Sequence, residues 1–259
     1  MLVLGIETTG AKGSCAVMET VGGVILSRRE ITGQMSHLKE LVPDIKDMLD
    51  MLEIAPKELG AAAVSIGPGS FTGIRIGVST ARALCQALDI PCVPVPTLEL
   101  FRGACGSEWN GDAVESGSAH AVILNARRGQ VYGAVFDAEG NDILVPGPYM
   151  LTDVLDAAEE YSAKGGAGKR IRFFGDGIDA YGSMPEYSER LGAFDIADEE
   201  SRYQTADMVC FKAAELIRAG KTSRWQDVEP DYMRLAEAEQ RLKDGSLRKM
   251  QEKKWRNLL

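Results

Sequence analysis

Four places in this 259-residue sequence carry side chains suited to chemistry. At Glu7-Thr8-Thr9-Gly10 a carboxylate and two hydroxyls stand where an apolar run turns back. The amides and hydroxyls of such a tip suit a phosphate, yet the same residues also form an ordinary turn, and the segment alone favours neither reading. From Gly67 to Gly77, Gly-Pro-Gly-Ser-Phe-Thr-Gly-Ile-Arg-Ile-Gly joins a strand to a helix whose N-terminus would attract an anion. It lacks the Gly-Lys-Ser/Thr ending that supplies a nucleotide P-loop with its lysine and magnesium hydroxyl. Phe174-Gly175-Asp176-Gly177 is a strand running into a turn with one acid, which would serve a nucleotide cleft or simply reverse the chain. His37 and His120 are the only histidines, with no His-x-x-x-His, His-Glu-x-x-His or Cys/His cluster, so no metal site is expected. No Gly-x-Ser-x-Gly elbow or Ser-His-Asp set points to a catalytic nucleophile.

The elements that must position these residues read as an order that occurs twice. Leu2 to Ile6, Ser14 to Met18 and Val24 to Arg29 are expected strands split by Gly-rich turns. After Ser36, a plausible N-cap, apolar residues recur at Leu38, Leu41, Val42, Ile45, Met48, Leu49 and Leu52, an amphipathic helix that Pro43 should bend or restart. Strand Ala62 to Ile66, helix Thr72 to Leu88 and strand Cys92 to Val95 follow. Beyond a polar stretch from Gly103 to Ser118 come strands at Ala121 to Asn125, Gln130 to Phe136 and Ile143 to Val145. A helix over Thr152 to Ala163, a strand over Ile171 to Phe174 and a helix over Thr205 to Ala219 complete the order, which suggests an internal duplication, the alternative being a single open α/β domain with decorations.

Within the second helix, Ile74, Val78, Ala81, Cys85 and Leu88 form one stripe, and Gly73, Gly77, Thr80 and Leu84 another. The first would cover the chain's own sheet. Small residues in the second admit a close backbone, either a partner helix or more of the same core.

Composition excludes several roles. With 45% hydrophobic and 26% charged residues the chain is globular, and its net charge of −9 argues against binding nucleic acid alone. Five scattered cysteines without a Cys-x-x-Cys pair predict reduced thiols, and neither a signal peptide nor a membrane span is read, which together place the chain in the cytoplasm. From Arg241 onward seven basic residues face Asp244 and Glu252, giving the tail about +5 and the remainder about −14.

The run Ile66 to Gly77 resembles the signature of the TsaB (YeaZ) family. Gly5-Ile6-Glu7-Thr8-Thr9, Ser36-His37-Leu38, Ala126-Arg127-Arg128-Gly129-Gln130-Val131-Tyr132 and Glu229-Pro230-Asp231-Tyr232-Met233-Arg234 agree with it in order, so the likeness spans residues 1 to 240. The resemblance implies an α/β chain of two ribonuclease-H-like lobes of the actin/sugar-kinase superfamily, with mixed sheets flanked by helices. Its expected parts are a partner-binding lobe at 1–103, a smaller lobe at 104–200, a helical segment at 201–240 packing back on the first lobe, and a basic tail at 241–259. Where related catalytic subunits hold a metal with paired histidines, this chain has His37 and Leu41; the second-lobe strand tip has Asn125 where the family often shows Asp. The implied role is a non-catalytic partner, without cofactor, of a TsaD-like subunit that transfers threonylcarbamoyl to tRNA. A TsaE-like ATPase and a homodimer are further implied partners, with tRNA engaged only through the complex. The implied interface is His37, Leu38, Leu41, Ile45, Gly73, Ile76, Gly77, Thr80 and Leu84; Glu7, Thr8, Thr9, Gly175, Asp176 and Gly177 would be a weak, vestigial nucleotide site. The alternative is an independent enzyme of the superfamily, a nucleotide hydrolase, kinase or peptidase.

Overall fold

Strand β1 (Leu2–Glu7) is apolar at every position up to its last residue because both of its faces are covered. The computed structural model describes residues 1–31, 37–104, 108–109, 112–113, 118–164 and 170–233. β1 pairs antiparallel with β2 (Gly13–Glu19), which pairs with β3 (Val24–Ile31). On its other edge β1 runs parallel to β4 (Leu59–Gly67), which is followed by β5 (Cys92–Pro96), giving the order β3-β2-β1-β4-β5. Helices α1 (His37–Met51) and α2 (Phe71–Leu88) cover one face, where Leu41, Ile45, Met48, Ile74, Val78 and Cys85 meet Leu4, Ile6, Cys15 and Val64. α6 (Ala206–Arg218) covers the other face so closely that a Cβ on Gly5 would lie 2.6 Å from both the Ala206 carbonyl oxygen and Cys210 Sγ.

The second sheet repeats the plan. β8 (Ala119–Asn125), β9 (Gln130–Phe136) and β10 (Asp142–Met150) form the antiparallel trio, and β11 (Ile171–Phe174) and β12 (Asp195–Ile196) continue it in parallel, in the order β10-β9-β8-β11-β12. α3 (Leu151–Lys164) packs on its outer face beside α4 (Gly177–Tyr181) and α5 (Pro185–Leu191). Its inner face, with Val122, Leu124, Phe136 and Phe174, joins Phe101, Met208 and Val209 in a core shared with the first sheet. Three antiparallel strands followed by two parallel ones, twice over, is the duplicated ribonuclease-H-like architecture. Two two-residue strands, β6 (Glu108–Trp109) and β7 (Asp112–Ala113), stand between the halves.

Pro43 does not break α1. Its ring removes the amide that would bond the Lys39 carbonyl, and both residues are exposed, where solvent is at hand to replace that donor. A 3₁₀ segment from Thr97 to Ala104 links the sheets through Arg102, whose guanidinium pairs with Glu99 at 2.7 Å and Asp142 at 2.8 Å, donates to the Gly140 carbonyl at 2.6 Å and stacks on Phe136. Because this arginine is partly solvent-screened, Arg102→Ala is expected to cost about 1–2 kcal/mol in urea unfolding; a loss below about 0.3 kcal/mol would remove it as a tie between the halves. Cys15, Cys85, Cys92 and Cys210 are buried free thiols, and Cys105 lies outside the described residues. Among the described residues no helix is long and apolar enough to cross a membrane.

Candidate functional site

The Glu7 carboxylate at the end of β1 is fully buried, at 0% exposure. One oxygen accepts from the Thr9 amide at 2.5 Å and the Thr9 hydroxyl at 2.6 Å, and the other from the Ser65 hydroxyl on β4. Burial raises its pKa, and the Ser65 and Thr9 donors oppose the rise. Thr8 donates to the Gly73 carbonyl at 2.7 Å, and the Thr9 carbonyl accepts from the Ser70 amide at 2.7 Å. At the N-terminus of α2 the Gly73 amide is capped by Ser70 Oγ at 3.3 Å, and a Cβ on Gly69 would lie 2.5 Å from the Thr9 oxygen.

At the second tip Asp176 accepts the Asn125 amide at 2.8 Å, and Asn125 accepts the Arg127 amide at 2.8 Å and the Tyr181 hydroxyl at 3.1 Å. Burial also raises the Asp176 pKa. Gly175 has φ +99°, a backbone that L side chains rarely adopt, and a Cβ on Gly177 would lie 2.6 Å from the Ile123 oxygen. The Gly-Asp-Gly turn is thus closed down on β8, and its carboxylate is bonded to the chain's own backbone.

Between the tips runs a strap, residues 197–205, that sequence reasoning did not connect to the site. The Arg202 carbonyl accepts the Gly175 amide at 2.8 Å, Arg202 and Tyr203 both bind Asp179 at 2.7 Å, and Gln204 donates to Thr9 Oγ1 at 3.3 Å. Thr97 joins Thr9 at 3.4 Å, and Ser14 accepts the Ala206 amide at 2.9 Å. Gln204 lies 195 positions from Thr9, a separation at which no local pattern signals contact. Among the described residues no group of three or more His, Cys, Asp or Glu is arranged to hold a metal.

The expected interface residues fall into three groups. His37 and Leu38 have side chains outside the described set, as do Ser36, Arg234 and the whole basic tail. Leu41, Ile45, Gly73 and Gly77 offer no surface: the first two fill the core under α1, and the glycines let α2 settle on Thr8, where a Cβ at either would overlap Thr8 atoms. This corrects the expectation for those four, since the small-residue stripe admits the chain's own β1 tip. Ile76, Thr80 and Leu84 are half-buried. Among the described residues, the exposed large apolar side chains of the two helices are Val42 at 55%, Met51 at 73% and Phe71 at 39%. Phe71 is stacked on Tyr232 from the C-terminal motif, whose Asp231 amide donates to the Ile66 carbonyl at 2.8 Å.

A family profile described as "TsaD: tRNA N6-adenosine threonylcarbamoyltransferase" matches residues 25–241. The tRNA threonylcarbamoyladenosine biosynthesis protein TsaB of Bacillus subtilis is 29% identical over 245 residues, covering 92% of this chain and 96% of the relative. Its namesake from Escherichia coli is 25% identical, with 90% and 95% covered. A crystal structure described as an uncharacterized protein with similarity to peptidase YEAZ from Pseudomonas aeruginosa superposes at a TM-score of 0.68 with 22% identity, covering 90% of this chain and 99% of that one, a likeness of fold.

Proposed function

This chain belongs to the tRNA N6-adenosine threonylcarbamoyltransferase (TsaD) family, in its TsaB (YeaZ) branch, and we propose that it serves there as a non-catalytic partner subunit. Its role lies in tRNA threonylcarbamoyladenosine biosynthesis, the process its Bacillus and Escherichia relatives carry in their names. In the proposed assembly it docks through the outer sides of α1 and α2 against a TsaD-like catalytic subunit. It stabilises the arrangement that moves threonylcarbamoyl from its adenylate to the adenosine beside the anticodon. A TsaE-like ATPase joins the pair, the same helices serve a homodimer when the partner is absent, and the assembly works in the cytoplasm with tRNA held by the complex.

The observation that carries this reading is the state of the two strand tips. The Glu7 carboxylate has no exposed surface and is bonded to Thr9 and Ser65, Asp176 caps β8, and the strap is hydrogen-bonded to both tips, at Thr9 and at Gly175. A carboxylate that activates a nucleotide or water must touch it. An independent hydrolase, kinase or peptidase would require these bonds to open before Glu7 met any ligand.

The test is threonylcarbamoyl transfer to tRNA by the TsaD-like subunit with TsaE, ATP and threonylcarbamoyl-adenylate, with and without this chain. Modification is expected to need the chain, and to persist within about threefold in Glu7→Gln and Asp176→Asn variants whose melting curves show them folded, a residue outside the chemistry having little effect on rate. A folded Glu7→Gln variant that lost about 100-fold, the scale of a missing acid–base group, would place this carboxylate in the reaction. Transfer indifferent to the chain would end the partner reading.

A further inference from the structure

Two of the buried thiols face each other where α2 hands over to β5. Asp89 ends α2 in the left-handed conformation, with φ +54°, and the chain turns so sharply that the Ile90 amide donates back to the Cys85 carbonyl at 3.2 Å. Cys92 then opens β5 on the same core cluster as Cys85. The two side chains share a hydrogen bond, and Cys85 Sγ also donates to the Pro91 carbonyl at 3.5 Å. β5 is the edge strand of the first sheet, and the Cys92 backbone is closed off there by a two-bond bridge to Ser223, at 3.0 and 2.8 Å. Cys15 and Cys210 form no such pair, because they lie on opposite faces of that sheet, Cys15 under α1 and Cys210 on α6.

We propose that Cys85 and Cys92 form a redox modification site, oxidised by peroxide to a disulfide that ties the last turn of α2 to β5. The inference stands independently of the proposed function above. Cys85 is the attacking thiol. The hydrogen bond that Cys92 gives it lowers its pKa against the effect of burial, while the same bond, together with burial, raises that of Cys92. The Cys85 sulfur takes an oxygen from hydrogen peroxide as the O–O bond breaks, giving a sulfenic acid and one water. The Cys92 sulfur then displaces that oxygen: the S–S bond forms, the S–O bond breaks, and the hydroxyl leaves with the Cys92 proton as a second water. Two thiols lose two electrons and two protons, one peroxide gains them, and a dithiol reverses the change.

Access comes by local opening at the sheet edge. Parting the Ser223 bridge lifts Trp225 off the cluster that holds the pair and leaves the rest of the fold in place. Burial raises the pKa of Cys15, to about 12, and that of Cys210, so neither supplies a thiolate while the interior stays closed. Joining the sulfurs takes them from hydrogen-bonding to bonding distance, so oxidation draws the end of α2 towards β5.

The experiment exposes the reduced full chain to hydrogen peroxide under native conditions, alkylates the remaining thiols at timed intervals and maps the peptides by mass spectrometry. The expected product is a peptide pair joined through Cys85 and Cys92, formed at least about tenfold faster than Cys15 or Cys210 is lost, and released by dithiothreitol. Dimedone should label Cys85 in a Cys92→Ala variant and leave Cys92 unlabelled in Cys85→Ala, each checked for a native melting curve; the wild-type map decides where a variant does not fold. Cys85 and Cys92 still alkylated after Cys15 or Cys210 has reacted would overturn the site, as would a disulfide joining Cys105 to either of the pair. Loss of all thiols at one rate would overturn it too, because oxidation would then follow global unfolding.

Discussion

Gly73→Ala is expected to unfold the protein or to cost about 3–5 kcal/mol, the range of severe core lesions and a large part of the total stability of a domain. The reason is steric. The added methyl would overlap the Thr8 carbonyl oxygen, a backbone atom that cannot rotate away, and the Gly73 carbonyl accepts the Thr8 hydroxyl at 2.7 Å, so the helix cannot back off without losing that bond. Gly77→Ala should be milder, about 1–3 kcal/mol, because its methyl meets the Thr8 hydroxyl oxygen, a side-chain atom able to turn. Gly220→Ala is the control for backbone conformation alone: φ is +68° and nothing lies within 4 Å of the new methyl, so about 1 kcal/mol is expected. Chemical denaturation of the three variants distinguishes the effects, and a Gly73→Ala loss no larger than that of Gly220→Ala would refute the contact.

This contact also shows what sequence can convey about the molecule. Gly73, Gly77, Thr80 and Leu84 rightly announce that some backbone comes close to α2, but spacing on a helix does not say whose. Here it is the turn after β1, so the glycines are internal and the outer side of the helix is carried by other residues. The strands were legible because β1, β4 and β8 are buried on both faces and read as largely apolar runs, and the duplicated order emerges from those runs. By contrast β12 has two residues and α4 has five, too short for a period to register, and α5 carries three charges in seven positions. The polar character of the Glu7 tip was visible; its closure was not, because the groups that close it come from Ser65, Thr97 and Gln204, each on a different element. Likewise Tyr232 was visible only as part of a motif, and Arg75, which donates to its hydroxyl at 3.0 Å, only as a helix residue.

His120 supplies the second large effect, and it is one of acid sensitivity. The imidazole, on β8, is fully buried and edge-on to Phe174 at 5.4 Å between centroids. Burial, with the Arg172 charge adding to it and a backbone hydrogen bond at Phe101 opposing, lowers its pKa from 6.5 to about 4. Between those values the unfolded chain holds a proton that the folded chain refuses, so stability falls as pH falls, beginning near 6.5 and complete near 4. A shift of that size corresponds to about 3 kcal/mol. Glu7, Asp176 and Asp207 act in the opposite sense, since burial raises their pKa values and the folded state gains as they protonate. Those carboxylates are common to the wild type and a His120→Leu variant, so the difference between the two stabilities isolates the histidine. The variant is expected to start about 1–2 kcal/mol below wild type at pH 7, having lost the imidazole's hydrogen bond, and to overtake it as acid removes the wild type's advantage. Urea unfolding at half-unit steps from pH 7 to 4 measures this. A difference that stays constant across the range would mean that His120 accepts its proton in the folded state, and the edge of the second sheet's inner face would then have to admit water.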